Sequence, residues 1–499
     1  MIWSSIINYE QHSPLWIETL LVRSGSALID VGGDSAIQPV ILRRPRGKRV
    51  LQSIFQRIAS LKTVNLNICR SPWEPICNSF LGRPAPNLEF LNLITSSLFP
   101  DCLYPNPLFA DEAPCLRRLH LEKCVIDFSS NVLSNLTELS VRNVAPRAVM
   151  SSTTHSHLLK VVPSVAGWLR VLKNIPALRF LTLMNAMSHF TEHEPLPIVD
   201  LPHLALLKIS TTFYLGISLI DHLNIPPLCG IEFWLYHNNG RSSVGLDGPK
   251  LLSFLSKQLR NLPQNRSGRY LQAKILNSGK ILFGNSKRVG QASYMTESDE
   301  IEAHGRYSED PMLSLVFIFD PLEDSFAFYN QLLELYSSTF STTTTLDLWV
   351  DEEFARMARI TSESFPTFHS FANVKTLNLL EQSPIYLLPL FQYSSLPDHP
   401  LFPALRWLHL TETNVEAMCS VFTAFLLWRA EAGIPLPEIR VLGGCISDET
   451  AEILSRVGNS RVSFGSMPLH DTKTLREPCA NDERLASVTV YFMDLINHA

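Results

Sequence analysis

The stretch HFTEHE sets His189 and His193 four residues apart with Glu192 and Glu194 beside them, the separation at which one helix face offers two imidazoles to a metal. Pro195 and Pro197 follow at once, and closely spaced prolines break a helix, so the segment reads as a solvated loop with no metal. HSH at 155–157 reads the same way. GGDSA at 32–36 lacks the closing glycine of a nucleophile elbow, and no strong strand precedes it. NSGK at 277–280 lacks the upstream glycine of a phosphate-binding loop, and no G-x-G-x-x-G occurs. Nine cysteines, at 69, 77, 102, 115, 124, 229, 419, 445 and 479, form no C-x-x-C pair. They read as reduced thiols, which implies a cytoplasmic or nuclear protein and no zinc site. The basic run RRPRGKR at 43–49 reads as a solvated turn before a helix, with a nuclear import signal or a patch for an acidic partner as the alternative. Sequence therefore predicts no catalytic residue, no cofactor and no metal. An enzyme whose site is assembled from distant residues is the weakest reading, because such a site leaves no local signature.

The totals agree with recognition. Apolar residues are 45% and charged residues 18% of 499, and the net charge is −5, so there is no basic field for nucleic acid. No run of about 18 apolar residues marks a membrane span. The start, MIWSSIINYEQHSPLWIETLL, lacks a basic region ahead of a clean apolar stretch.

Stepping along the chain, CLRRLHLEKCVI at 115–126 spaces Leu116, Leu119, Leu121, Cys124 and Ile126 as L-x-x-L-x-L-x-x-C-x-I. The same frame recovers Leu61, Val64, Leu66 with Cys69; Leu88, Leu91, Leu93; Leu136, Leu139, Val141 with Val144; Leu178, Leu181, Leu183; and Leu204, Leu207, Ile209. Further on come a weaker Leu228, Ile231, Phe233; then Leu346, Leu348; Val374, Leu377, Leu379; and Leu405, Leu408, Leu410 with Thr413. In the last copy Ile439 and Leu442 take the first two apolar places and glycine the third. Early copies are roughly 20 to 30 residues apart, the step of a leucine-rich repeat. Positions four and six share one face of a short strand, and position nine is expected to turn the chain. Prolines punctuate the entries, as in APNLEF, APCLRR, IPALRF, LPHLAL and FPALRW.

Helical periodicity at 48–61, 165–175, 249–262, 325–340 and 416–433 falls between the strands. The expected fold is α/β: an irregular leucine-rich-repeat solenoid, or horseshoe, with parallel strands on the concave face and helices outside. The boundaries predicted are a leading segment 1–47, repeats over 48–263, a β-hairpin and insertion over 264–310, repeats over 311–465 and an unplaced tail 466–499. The hairpin is expected to turn near 277–279, and 284–311 reads as a mobile loop.

Side chains between the buried leucines would face a partner. That register selects Asn65, Asn92, Arg118, His120, Glu122, Glu138, Ser140, Arg142, Thr182, Lys208, Asp347, Asn378 and His409, with Phe90, Phe180, Trp349 and Trp407 as aromatic anchors. Packing of those rings against one another or under loops is the alternative. Mixed charge on the wall suits a protein ligand, with no nucleic acid and no membrane among the expected partners.

The opening IWSSIINYEQHSPLWIETLLVRSGSALIDV resembles the segment that follows the F-box in mushroom-type fungal F-box proteins, where P-x-L-W-x-x-I leads a helix and then RSGSxPLxV. RPAPNLEFLNL, EAPCLRRLHLEKCVI, LSNLTELSVRN, LFPALRWLHL and LWRAEAGIPLPEIRVLGGC are similar to the degenerate repeats of those proteins, and the likeness spans most of 2–460. The resemblance implies a ubiquitin-ligase substrate receptor, binding an unknown protein on its concave face. The F-box, which docks on the Skp adaptor of a cullin ligase, would lie ahead of Trp3 and is not in this sequence. Binding of Skp adaptor and cullin is therefore expected only if an upstream F-box exists. The other expectation is a free-standing repeat scaffold without a ligase role.

Overall fold

The computed structural model describes residues 7–8, 12–32, 49, 52–68, 80–95, 107–144, 162–188, 195–227, 229–236, 244–259, 270–276, 280–284, 313–318, 331, 343–350, 371–393 and 401–465. Two compact units divide the chain, one of residues 1–263 with 294–328, the other of residues 264–293 with 329–499. Both are mixed α/β and carry parallel strands.

In the first unit β1 (Ile7–Asn8), β2 (Ile29–Gly32), β3 (Leu61–Ile68), β4 (Phe90–Thr95), β5 (Arg118–Glu122), β6 (Glu138–Arg142) and β7 (Phe180–Met184) lie side by side in chain order, every pair parallel. The short β8 (Val199–Asp200) leaves this sheet and pairs with β10 (Leu223–Asn224), while β9 (Leu206–Thr212), β11 (Gly230–Tyr236) and β14 (Leu313–Ile318) continue it. Helix α1 (Pro14–Ser24) joins β1 to β2, α2 (Val165–Lys173) precedes β7, α3 (Phe213–Ile220) links β9 to β10, and α4 (Val244–Leu259) follows β11.

The repeated sequence frame explains why each strand starts and stops where it does. An apolar-Pro-x-Leu turn closes before the strand: Leu88 N donates to Ala85 O (3.2 Å), Leu116 N to Ala113 O (3.1 Å), Leu178 N to Ile175 O (3.2 Å) and Leu204 N to Leu201 O (3.2 Å). Proline in the second place presets the φ such a turn needs, which is the physical content of the proline punctuation. The strand ends at position eight, where Lys123, Asn143 and Asn185 take φ of 56°, 54° and 48°. Each of these residues donates its N–H across to the next strand, to Arg142 O, Met184 O and Ser210 O at 2.8, 2.7 and 2.7 Å.

In these copies position eight, not position nine, turns the chain, because the left-handed conformation is what lets the backbone leave the sheet, whereas Ile68, Thr95 and Thr211 at the same position stay in their strands. Position nine is instead buried and anchors neighbouring coils. The Cys124 thiol donates to Leu93 O at 3.4 Å, and Ala186 O accepts from the Trp168 indole at 2.7 Å. Positions four and six form unbroken apolar rows. Val64, Leu91, Leu119, Leu139, Leu181 and Leu207 are all fully buried, as are Leu66, Leu93, Val141 and Leu183. Behind the first strands Phe55, Phe80 and Phe109 pile into one cluster, with ring centroids 3.9 and 5.8 Å apart.

The second unit repeats the scheme. β12 (Tyr270–Leu276) and β13 (Lys280–Gly284) form an antiparallel hairpin, and β12 also runs parallel to β15 (Thr345–Val350). β16 (Thr376–Leu380), β17 (Trp407–Thr411), β18 (Glu438–Leu442) and β19 (Arg461–Gly465) follow in chain order, all parallel. The connecting helices are α5 (Ser383–Tyr393), α6 (Cys419–Glu431) and α7 (Asp448–Gly458), the last capped by Ser447, whose hydroxyl accepts from Thr450 N at 3.1 Å. Position eight again turns left-handed, at Glu381 (52°), Glu412 (55°) and Gly443 (67°).

Several expectations change. In the last copy Leu436, Ile439 and Val441 are the inward residues, each at most 2% exposed, and Leu442 is only half-buried. LPEIRVLGG fits two frames three residues apart, and lateral alignment of Ile439 with Leu408 selects the earlier one. Gly444 then falls at position nine, where a Cβ would stand 2.3 Å from Thr413 O. The helix expected over 48–61 ends early, since Ile58–Ser60 is one 3-10 turn and β3 begins at Leu61. The helix expected over 325–340 lies outside the described residues apart from Gln331, as do 285–311 and the tail beyond 465, and Gly284 closes β13. HFTEHE, HSH and RRPRGKR lie outside them too, Arg49 excepted.

Gly444→Ala tests the close approach. Because the obstacle is a backbone carbonyl that cannot rotate away, the substitution should cost about 1–3 kcal/mol in chemical unfolding, and an unchanged midpoint would contradict the contact.

Candidate protein-binding face

Opposite the apolar rows, the alternate residues of each strand project to the other side of the sheet, and pairing without slippage aligns them in rows across strands. In the first unit one row runs Thr63, Phe90, Arg118, Glu138, Phe180, and the next runs Asn65, Asn92, His120, Ser140, Thr182, Lys208, Glu232. Asp30 lies beside Thr63 on β2. A third row brings Glu122 beside Arg142.

Neighbouring rungs bond to each other. Asn92 Nδ2 donates to Asn65 Oδ1 at 2.9 Å, Thr63 Oγ1 to Asp30 Oδ1 at 2.7 Å, and Arg142 Nε to Ser140 Oγ at 3.2 Å. His120 Nε2 meets Glu138 Oε1 at 2.7 Å, and Lys208 Nζ meets Glu232 Oε2 at 2.7 Å. Glu232 also accepts from the Trp234 indole at 3.3 Å. The Phe90 ring sits between two of its neighbours. The exposed Arg118 guanidinium lies 4.6 Å from its centroid and His120 meets it edge-on at 5.1 Å. Arg179 lies 5.6 Å from the Phe180 ring.

Not all of these residues face solvent as expected. Thr182 and Lys208 are 5% and 7% exposed, and Glu138 and Ser140 are buried as well. Strands about 4.8 Å apart let each side chain cover the next, and the buried members keep polar partners, Lys208 the opposite charge of Glu232 and Glu138 a bond to the His120 ring. Arg118 is exposed, while Asn65, Phe90, Asn92, His120, Glu122, Arg142 and Phe180 are half-buried.

In the second unit the corresponding rows are Thr345, Thr376, Trp407, Glu438, Arg461 and Asp347, Asn378, His409, Arg440, Ser463. Asn378 Nδ2 donates to the buried Asp347. Arg440 donates to Glu438 Oε1 at 2.9 Å and Ser463 Oγ to the same oxygen at 3.2 Å, and the Arg440 bond holds the Glu438 carboxyl below its usual range. Asn378, Trp407 and His409 are half-buried. Trp349 stands on β15, but its side chain lies outside the described ones.

Glu232, Trp234, Glu438, Arg440 and Ser463 belong to these rows although the sequence reading did not select them. Glu232 and Trp234 alternate with the recognised Ile231 and Phe233 and were open to the same inference. Arg440 was hidden by the misread frame, which left it off the His409 position.

Among the described residues no group of three or more His, Cys, Asp or Glu is placed to hold a metal, and no helix is long and apolar enough to cross a membrane. The Cys229 thiol is pushed up to about 12 by burial, which leaves it a packed side chain and not a nucleophile. No family model matches the chain, and no curated protein matches it either.

Burial, and next the Arg440 charge, hold the His409 pKa below its ordinary value against the opposing pull of Glu438. The unfolded chain therefore takes up this proton at higher pH than the folded one, so His409 lowers stability as pH falls below about 6.5. Melting temperatures at pH 7.5 and 5.5 should drop further for the wild type than for His409→Gln, and equal drops would contradict the assignment.

Proposed function

We propose that the chain is an irregular leucine-rich-repeat solenoid, that its polar strand face is the concave wall, and that this wall holds another protein without catalysing a reaction on it. The observation that carries this reading is the set of rows in fixed register, in which arginine, aromatic and amide side chains from consecutive strands are braced by their neighbours before any partner arrives. Bracing lowers the ordering cost of binding, and arginine and aromatic residues are the usual energetic centres of protein interfaces. Arg118 over Phe90 in the first unit, and Trp407, beside Glu438, in the second, are the anchors.

The resemblance of the opening segment and of the repeats to fungal F-box proteins supports a more particular role, the substrate-holding part of a ubiquitin-ligase receptor in the cytoplasm or nucleus. On that reading the Skp adaptor and cullin engage an F-box ahead of Trp3. A pull-down comparing this chain with one extended upstream in the reading frame tests it. Recovery of Skp adaptor and cullin with the longer chain alone is expected. Recovery with neither contradicts the ligase role and favours a free-standing scaffold. Proteins held by the wall should be lost from the variant Arg118→Ala, which changes an exposed side chain, at nearly unchanged melting temperature, and their retention would place binding elsewhere.

A further inference from the structure

The apolar rows of the second unit are sealed strand by strand until the last. Leu379 and Leu410 are fully buried and Val441 is 2% exposed, but Phe464, in the same row on β19, is 58% exposed. In the companion row Leu377, Leu408 and Ile439 are fully buried and Val462 is only half-buried. Ile453, on the helix leading into β19, is 37% exposed. Among the described residues the backbone is open on the same side. Arg461 N donates to Pro437 O of the preceding coil at 2.9 Å, so strand alternation turns the N–H groups of Val462 and Phe464 to the far edge. Among the described residues β19 pairs with β18 alone. An apolar row and a strand edge that no other described strand pairs, in one place, form a template for one more strand of the same pattern.

The chain itself supplies that pattern. Leu485, Val488 and Val490 in LASVTVYFM reproduce the L-x-x-L-x-L frame of the other strands, with β-branched residues at both inward places. Val488 follows Val462 by a step within the roughly 20 to 30 residues of the repeat. We propose that residues 485–493 dock on the open edge of β19 as a further parallel strand. Val488 would then stand beside Val462 and Val490 beside Phe464. This goes beyond the proposed binding role and does not rest on it, since it concerns how the apolar rows are closed. Tethering favours this occupant over any free one, because a short linker presents its segment at about millimolar effective concentration.

Fragment-resolved hydrogen exchange on the full chain reads the Val462 and Phe464 amides directly. Slow exchange at both, independent of protein concentration and accelerated at least tenfold in Val488→Asp/Val490→Asp, is the expected result. A chain ending at residue 466 should show the same acceleration while its β17 amides stay protected, which separates loss of the docked strand from loss of folding. Fast exchange in the wild type, or protection that survives the double substitution, would overturn the proposal. Protection that grows with protein concentration would assign the edge to a second copy and overturn it equally.

Discussion

Pairing without slippage between successive strands, from β3 to β9 and again from β15 to β19, is the constraint from which the other features follow. Leu119 stands beside Leu91 on one side and Leu139 on the other, and two residues later Leu121 stands between Leu93 and Val141. Sliding any strand by one residue would exchange its leucines for polar neighbours across the whole row, so the buried rows lock the register and the register in turn aligns everything on the opposite face. The local devices serve this lock. An apolar-Pro-x-Leu turn delivers the chain to β4, β5, β7 and β9, and a left-handed residue at position eight takes it away after β5, β6, β7, β16, β17 and β18.

The polar face is thus a product of the fold, and it divides into two kinds of residue. Lys208 with Glu232, His120 with Glu138 and Asn378 with Asp347 spend their polar atoms on one another within the sheet. Their burial makes them costly to change, because removing one member leaves a desolvated group behind. Arg118 reaches solvent, and Trp407 and His409 reach it in part, while resting on neighbours. A partner would read this second group, while the first group holds it in place.

The α/β class and the parallel strands were legible because the L-x-x-L-x-L frame is a direct image of two inward side chains per strand, repeated often enough to be seen. Leu436 to Val441 was misread because the four apolar residues in LPEIRVL fit two frames, and only lateral alignment with Leu408 and Leu410 decides between them. Helix α3, FYLGISLI, is apolar all round, so it shows no helical stripe. Helix α5 carries Pro389 inside it, which argues against a helix in any local reading. The membership of the polar rows was legible from alternation wherever the frame was read correctly, which leaves out Arg440. The burial of Thr182 and Lys208 was not, because it depends on which side chains stand on the adjacent strand, and in sequence those lie tens of residues away.

The lateral stacking of inward residues is tested most directly by double-mutant cycles in chemical unfolding. Leu119→Ala and Leu139→Ala, adjacent in one row, should each cost about 2–5 kcal/mol. Combined, they should deviate from additivity by about 0.5–3 kcal/mol, whereas Leu91→Ala with Leu181→Ala, three strands apart, should add to within about 0.5 kcal/mol. Additive behaviour of the adjacent pair, or coupling of the distant pair as strong as that of the adjacent one, would contradict the account.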